Sequence, residues 1–189
     1  MPRRSLTLRA AAVLAAAVLG ASLAACSDTT RIPPAPTGTD AAEPLFASDE
    51  EALAAAVEAY EEFLAVSAAI LQDGGADPER LRPLVSDEVY ELESAGFQEA
   101  RDSGLRLVGA NELLHAELQQ WSVTGDRSAE VITYVCLSNE EADIVDEAGE
   151  SVVTEDRVTR LTFEVIIEFV SKDTLISSSA PWTGASVCP

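Results

Sequence analysis

Apolar residues recur along this chain with changing spacing, and each spacing predicts a different kind of element. From Ser48 onward the spacing is helical: Leu53, Val57, Tyr60, Leu64 and Leu71 form one stripe, widened by Ala56, Phe63, Val66 and Ile70. This pattern predicts a single long amphipathic helix. Ser48 and Glu51 fit a capping box at its start, and Gly74-Gly75 ends it. The opposite face carries Glu50, Glu58, Glu61 and Glu62 with no basic partner at helical spacing, so packing rather than surface ion pairs must hold the helix. Asp77-Pro78-Glu79 opens a second, short helix limited by Pro83, and Ser86-Asp87-Glu88 caps a third around Val89, Tyr90 and Leu92 that continues or resumes through Phe97 to Gly104. Both are expected to act as short lids or buttresses.

From Leu105 the period becomes two, the spacing of strands. Leu114, Ala116 and Leu118 alternate with His115, Glu117 and Gln119, Gly125-Asp126 turns the chain, and Val131 to Leu137 reads as a more buried strand. A short hairpin is expected from Asp143–Asp146 and Ser151–Thr154 around Ala148-Gly149. Arg157 to Val170 gives the clearest strand, with Leu161, Phe163, Val165, Ile167 and Phe169 on the face that should meet the long helix. A last strand runs from about Thr174 to Ser179, before Trp182 and Cys188. Helices followed by antiparallel strands predict an α+β domain, one long and two short helices on a bent antiparallel sheet.

The N-terminus obeys neither period. Arg3, Arg4 and Arg9 precede a near-continuous apolar stretch, Ala10 to Ala25, that stops at Cys26. A charged region, a greasy region and small residues in that order read as a secretory signal over residues 1–25. Leu23-Ala24-Ala25-Cys26 resembles the lipobox of bacterial lipoproteins, which implies a diacylglyceryl group on the Cys26 sulfur and cleavage before it. Two acyl chains hold a soluble domain on a membrane where one would not. Residues 26–44, with Pro33, Pro34, Pro36 and Pro44 and no apolar period, read as a flexible tether. Residues 45–189 are left as one domain, lipid-anchored to the outer face of the cell membrane. Arg3-Arg4 also permits export by the twin-arginine route, but two arginines are common in ordinary leaders, so the export route stays open.

Charge and cysteine count narrow the chemistry. With 33 acidic residues against 12 basic ones the net charge is −21, and removing the leader takes away three more arginines. Such a surface repels phosphate backbones, so nucleic acid is excluded as a partner. With Cys26 lipidated, Cys136 and Cys188 remain, and two leftover cysteines outside the membrane are expected to pair. A metal site is not expected, because paired-cysteine spacing is missing and His115 is the only histidine. The acidic stretch Glu140 to Glu150 lacks the alternating oxygen ligands of a calcium loop and reads as a charged hairpin.

The long capped helix from Ser48, Asp77-Pro78-Glu79-Arg80-Leu81, Ser103-Gly104-Leu105, Val108-Gly109, Cys136, Val145-Asp146 with Gly149, and the late Trp182 and Cys188 together resemble secreted actinobacterial lipoproteins with a nuclear-transport-factor-2-like domain. The resemblance implies a cone-shaped α+β fold, with a cystatin-like helix-on-sheet arrangement as the competing architecture. That superfold includes isomerases and dehydratases as well as proteins that only bind, so fold does not settle activity. The chain has no Gly-x-Ser-x-Gly elbow, no Ser-x-x-Lys and no phosphate-binding glycine loop, and no catalytic residue or cofactor is assigned. His115 shares a strand face with Glu117 and Gln119, the polar side, and is expected at the surface. Tyr60, Phe63, Tyr134, Phe163 and Trp182 are the candidates to line a pocket in the cone. The expected role is a binding or interaction module at the cell envelope, taking a small apolar ligand or an envelope protein. The alternatives are an isomerase or dehydratase acting on an apolar ligand, and a structural accessory subunit, which would have a filled cone.

Overall fold

The structure is a computed structural model that describes residues 44–189. The expected leader 1–25, the expected lipidation site Cys26 and the expected tether up to residue 43 lie outside the described residues.

Helix α1 spans Asp49–Gln72. Its first turn is closed reciprocally: the Glu51 amide donates to Ser48 Oγ at 3.3 Å, and the Ala47 amide donates to Glu51 Oε2 at 2.7 Å. A 3-10 helix, Pro78–Leu84, follows, and then α2, Asp87–Asp102, capped by Ser86. The third helix is therefore not a short lid. It runs unbroken for 16 residues because Val89, Tyr90 and Phe97 bury one face, while Gly96 sits where a side chain would meet nothing. Tyr90 also ties it to the 3-10 helix, donating to Glu79 Oε1 at 2.9 Å beneath the Arg82 guanidinium, 3.9 Å from the ring centre.

Two antiparallel sheets follow. The larger has the order β2-β3-β5-β6, with β2 at Glu112–Gly125, β3 at Ser128–Ser138, β5 at Arg160–Val170 and β6 at Asp173–Pro181. Register shifts at Leu113/His115 and Leu118/Gln120 break the simple alternation read for β2 and carry that strand on to Trp121, which faces the core. The expected hairpin of Asp143–Asp146 with Ser151–Thr154 is reduced to one bridge, Val145 with Ser151. Instead β4, Asp143–Val145, pairs with β1, Arg106–Val108, in a separate two-stranded ribbon. Gly109 permits this pairing: its φ is 77°, and a Cβ there would lie 1.9 Å from the Glu141 carbonyl oxygen.

The helices cover the inward face of the large sheet, where Val131, Thr133, Val135, Val165 and Ile167 are fully buried. At the start of α1 the space is filled by aromatic rings. Phe46 meets Trp121 edge-on at 5.7 Å and Phe169 at 5.0 Å, and Trp121 Nε1 donates to Asp49 Oδ1 at 2.8 Å. Toward the other end of the sheet the packing loosens, and Leu161, placed on the buried face by its parity, is exposed.

The outward face is crossed by the C-terminal tail. Trp182 lies against Tyr134 with ring centres 4.6 Å apart, Thr162 Oγ1 lies 3.2 Å from Ser186 Oγ, and Cys188 is bonded to Cys136. Arg160 donates to the Pro189 carbonyl at 3.1 Å.

Candidate functional site

The loosened end of the core is a cavity of about 340 Å³. Its size falls at the lower end of the range for small-molecule sites. The second half of α1 supplies one wall through Phe63, Leu64, Ala68 and Leu71, the inward sheet face supplies Leu137 and Phe163, and the β1–β4 ribbon covers it with Leu107 and Ile144. The wall is apolar for the reason the helix exists: the same stripe that drives α1 onto the sheet continues past the point where sheet side chains fill the gap.

Polar groups interrupt this lining at few places. Tyr60 Oη and Ser179 Oγ lie 3.0 Å apart, joining α1 to β6. Burial pushes the Tyr60 hydroxyl up to about 12, and the Glu93 charge nearby adds to the shift. Glu93 comes from α2 and is half-buried, and desolvation alone raises its pKa above the ordinary carboxylate value. β4 contributes Asp143, and the loops on either side of it contribute Asn139 and Arg157. Arg157 donates to the backbone carbonyls of Asn139, at 3.1 Å, and Ala142, while Asp143 Oδ1 accepts from Ser151 Oγ at 2.9 Å. Ser67 Oγ and Asn139 Oδ1 are shielded from solvent and have no hydrogen-bond partner among the described residues. Unpaired buried polar atoms of this kind call for a partner.

Of the aromatic candidates, Tyr60, Phe63 and Phe163 line this cavity, with Tyr60 and Phe63 stacked at 5.5 Å. Tyr134 and Trp182 do not. Tyr134 pairs with Glu164 in register and so shares the outward face with Cys136 and Thr162, where the tail lays Trp182 over it. Strand parity places Tyr134 there because Val135 and Thr133 point inward, whereas the path of the tail has no signature in local sequence.

His115 is exposed on the outward face, its Nε2 3.2 Å from Glu117 Oε1, and takes no part in the cavity. Among the described residues no group of three or more acids, histidines or cysteines is arranged to hold a metal ion. Within the acidic stretch, Asp146 Oδ1 accepts from the amides of Ala148 and Glu150, each at 2.9 Å, which makes it a turn. No helix among the described residues is long and apolar enough to cross a membrane.

Sequence reasoning missed Glu93, Ser67, Asn139 and Arg157. Glu93 is one of 33 acids, and only the packing of α2 against β6 distinguishes it.

Comparison with known proteins gives a fold likeness without a family. No protein-family model matches the chain, and no curated protein does. Among solved structures, the intermembrane space region of the chloroplast protein ARC6 superposes with a TM-score of 0.51 at 18% identity, covering 70% of this chain and 97% of that one. A periplasmic fragment of TraM gives 0.44 at 15% identity, covering 67% and 93%. The ARC6 likeness is one of architecture.

Proposed function

We propose that residues 45–189 form a ligand-binding module displayed at the cell envelope, a lipoprotein domain of the nuclear-transport-factor-2-like kind held by the acylated Cys26. The observation that carries the binding role is the apolar cavity of about 340 Å³ between α1 and the sheet, interrupted by a few convergent polar groups. A purely structural subunit would gain stability by filling that space. The extracytoplasmic setting is supported by the apolar run that ends at Cys26 and by the Cys136–Cys188 bond, which suits an oxidising compartment.

Two experiments test this reading. Native mass spectrometry of the protein extracted from its own membrane should show a bound small molecule that is lost in Ala68→Trp, a change that fills the cavity from α1. Equal occupancy in that variant would place the ligand elsewhere and defeat the reading. For the anchor, Cys26→Ala should move the protein to the soluble fraction or leave an unprocessed precursor, and unchanged fractionation would refute lipidation.

Glu93 favours a second reading. A half-buried carboxyl with a raised pKa, next to the Tyr60 and Ser179 hydroxyls, has the properties of a general acid or base for an isomerase or dehydratase. Conversion of the bound molecule by the wild type, lost in Glu93→Gln with binding retained, would decide for the enzyme; binding without conversion decides against it.

A further inference from the structure

We infer that the cavity selects a cationic amphiphile, an apolar body bearing an ammonium-type group that pairs with the Glu93 carboxylate. The inference rests on the binding role proposed above and adds the chemistry of the ligand.

An imbalance inside the cavity supports it. Carboxyl groups outnumber cations in the lining, Glu93 and Asp143 against Arg157: the Glu93 carboxyl has no ion pair or hydrogen bond from the described residues, and Asn139 Oδ1 is shielded and unpaired. The one cationic side chain in the lining, Arg157, points a guanidinium nitrogen at two backbone carbonyls. A ligand carboxylate would therefore meet two carboxyl groups, Glu93 and Asp143, against the single cation Arg157, and a hydrocarbon would leave Glu93 desolvated and alone. An ammonium supplies both the missing charge and several donors. Three aromatic rings, Tyr60, Phe63 and Phe163, are part of the lining, and an aromatic wall is compatible with a cation. The net charge of −21 draws cations to the surface and disfavours anionic competitors.

The test holds the apolar body fixed and varies the head group. Octylamine, octanol and octanoate are titrated calorimetrically, at concentrations below micelle formation and neutral pH, into the full chain carrying Cys26→Ala, which has no lipid to absorb the probe. Octylamine should bind about tenfold more tightly than octanol, the ratio expected for a charged hydrogen bond worth about 1.4 kcal/mol. Octanoate should bind most weakly. In Glu93→Gln the advantage of the amine over the alcohol should vanish while octanol affinity stays unchanged, because that variant keeps the shape of the wall and nearly all of the surface charge. Tighter binding of octanol or octanoate would overturn the inference and leave the pocket as a site for another chemistry. A preference for the amine that survives Glu93→Gln would also overturn it, by assigning the effect to the acidic surface. Failure of all three probes to bind would count against the pocket itself.

Discussion

Glu93 and Tyr60 show how single side chains set the behaviour of this cavity. The folded protein holds the Glu93 proton to higher pH than the unfolded chain, whose carboxyl titrates near 4.5. Below that value both states are protonated and the residue contributes no pH dependence. As pH rises from there through the raised folded value, the folded state binds more protons than the unfolded one, so stability falls and then levels off. Glu93→Gln should therefore be more stable than wild type at pH 7 and equal to it at pH 3.5, as read from urea melts at the two pH values; a variant less stable at pH 7 would mean that the carboxylate has a favourable partner. Tyr60→Phe should cost about 1 kcal/mol in the same melts, since it leaves Ser179 Oγ without its partner in a partly buried place. At this scale the sequence discloses what obeys a period: Tyr60, Phe63 and Phe163 stand on apolar stripes and can be named in advance. Glu93 cannot, because its neighbours along α2 resemble those of any solvated glutamate, and its burial is decided by β6, some 80 residues later.

Elements whose signals are local match the sequence reading closely. The start of α1 is one of them, and Ser48→Ala should cost about 1 kcal/mol by removing the acceptor for the Glu51 amide, with the loss seen as a lower midpoint at unchanged m-value. Elements that depend on distant partners depart from it. The turn around Gly149 is visible in the sequence, yet the strand before it pairs with β1, about 37 residues earlier, because Gly109 lets the two backbones approach. Gly109→Ala should thus unfasten the ribbon over the cavity, at a cost of about 1–3 kcal/mol from steric overlap and a left-handed φ. Hydrogen exchange should show the amides of Arg106–Val108 losing protection before those of β3, and uniform loss would contradict a local opening. The bulges in β2 are likewise hidden, since an inserted residue changes parity without changing composition.

At the scale of the molecule, one sheet serves two surfaces: its inward face forms the core and the cavity, and its outward face receives the tail. The α+β class and the order of helices before strands were legible because periodicity reports element type. The pairing of Cys136 with Cys188 follows from the count once Cys26 is set aside, but the strap it creates does not, because nothing between Pro181 and Cys188 has a period. Opening the bond in Cys136→Ser/Cys188→Ser should cost about 4 kcal/mol by releasing a loop of 52 residues in the unfolded chain. A loss below about 1 kcal/mol would mean the tail holds without it. The strap also imposes a timetable. As the chain is synthesised, β3 can find β2 at once and β5 soon after, but Cys136 has to wait for Cys188. The sheet is therefore complete before its outer side is clad, and for that interval the Tyr134 ring lies open where Trp182 later covers it. Chains refolding from the reduced, unfolded state should accordingly be captured by a thiol-trapping reagent with β3 already protected from exchange and Cys136 still free.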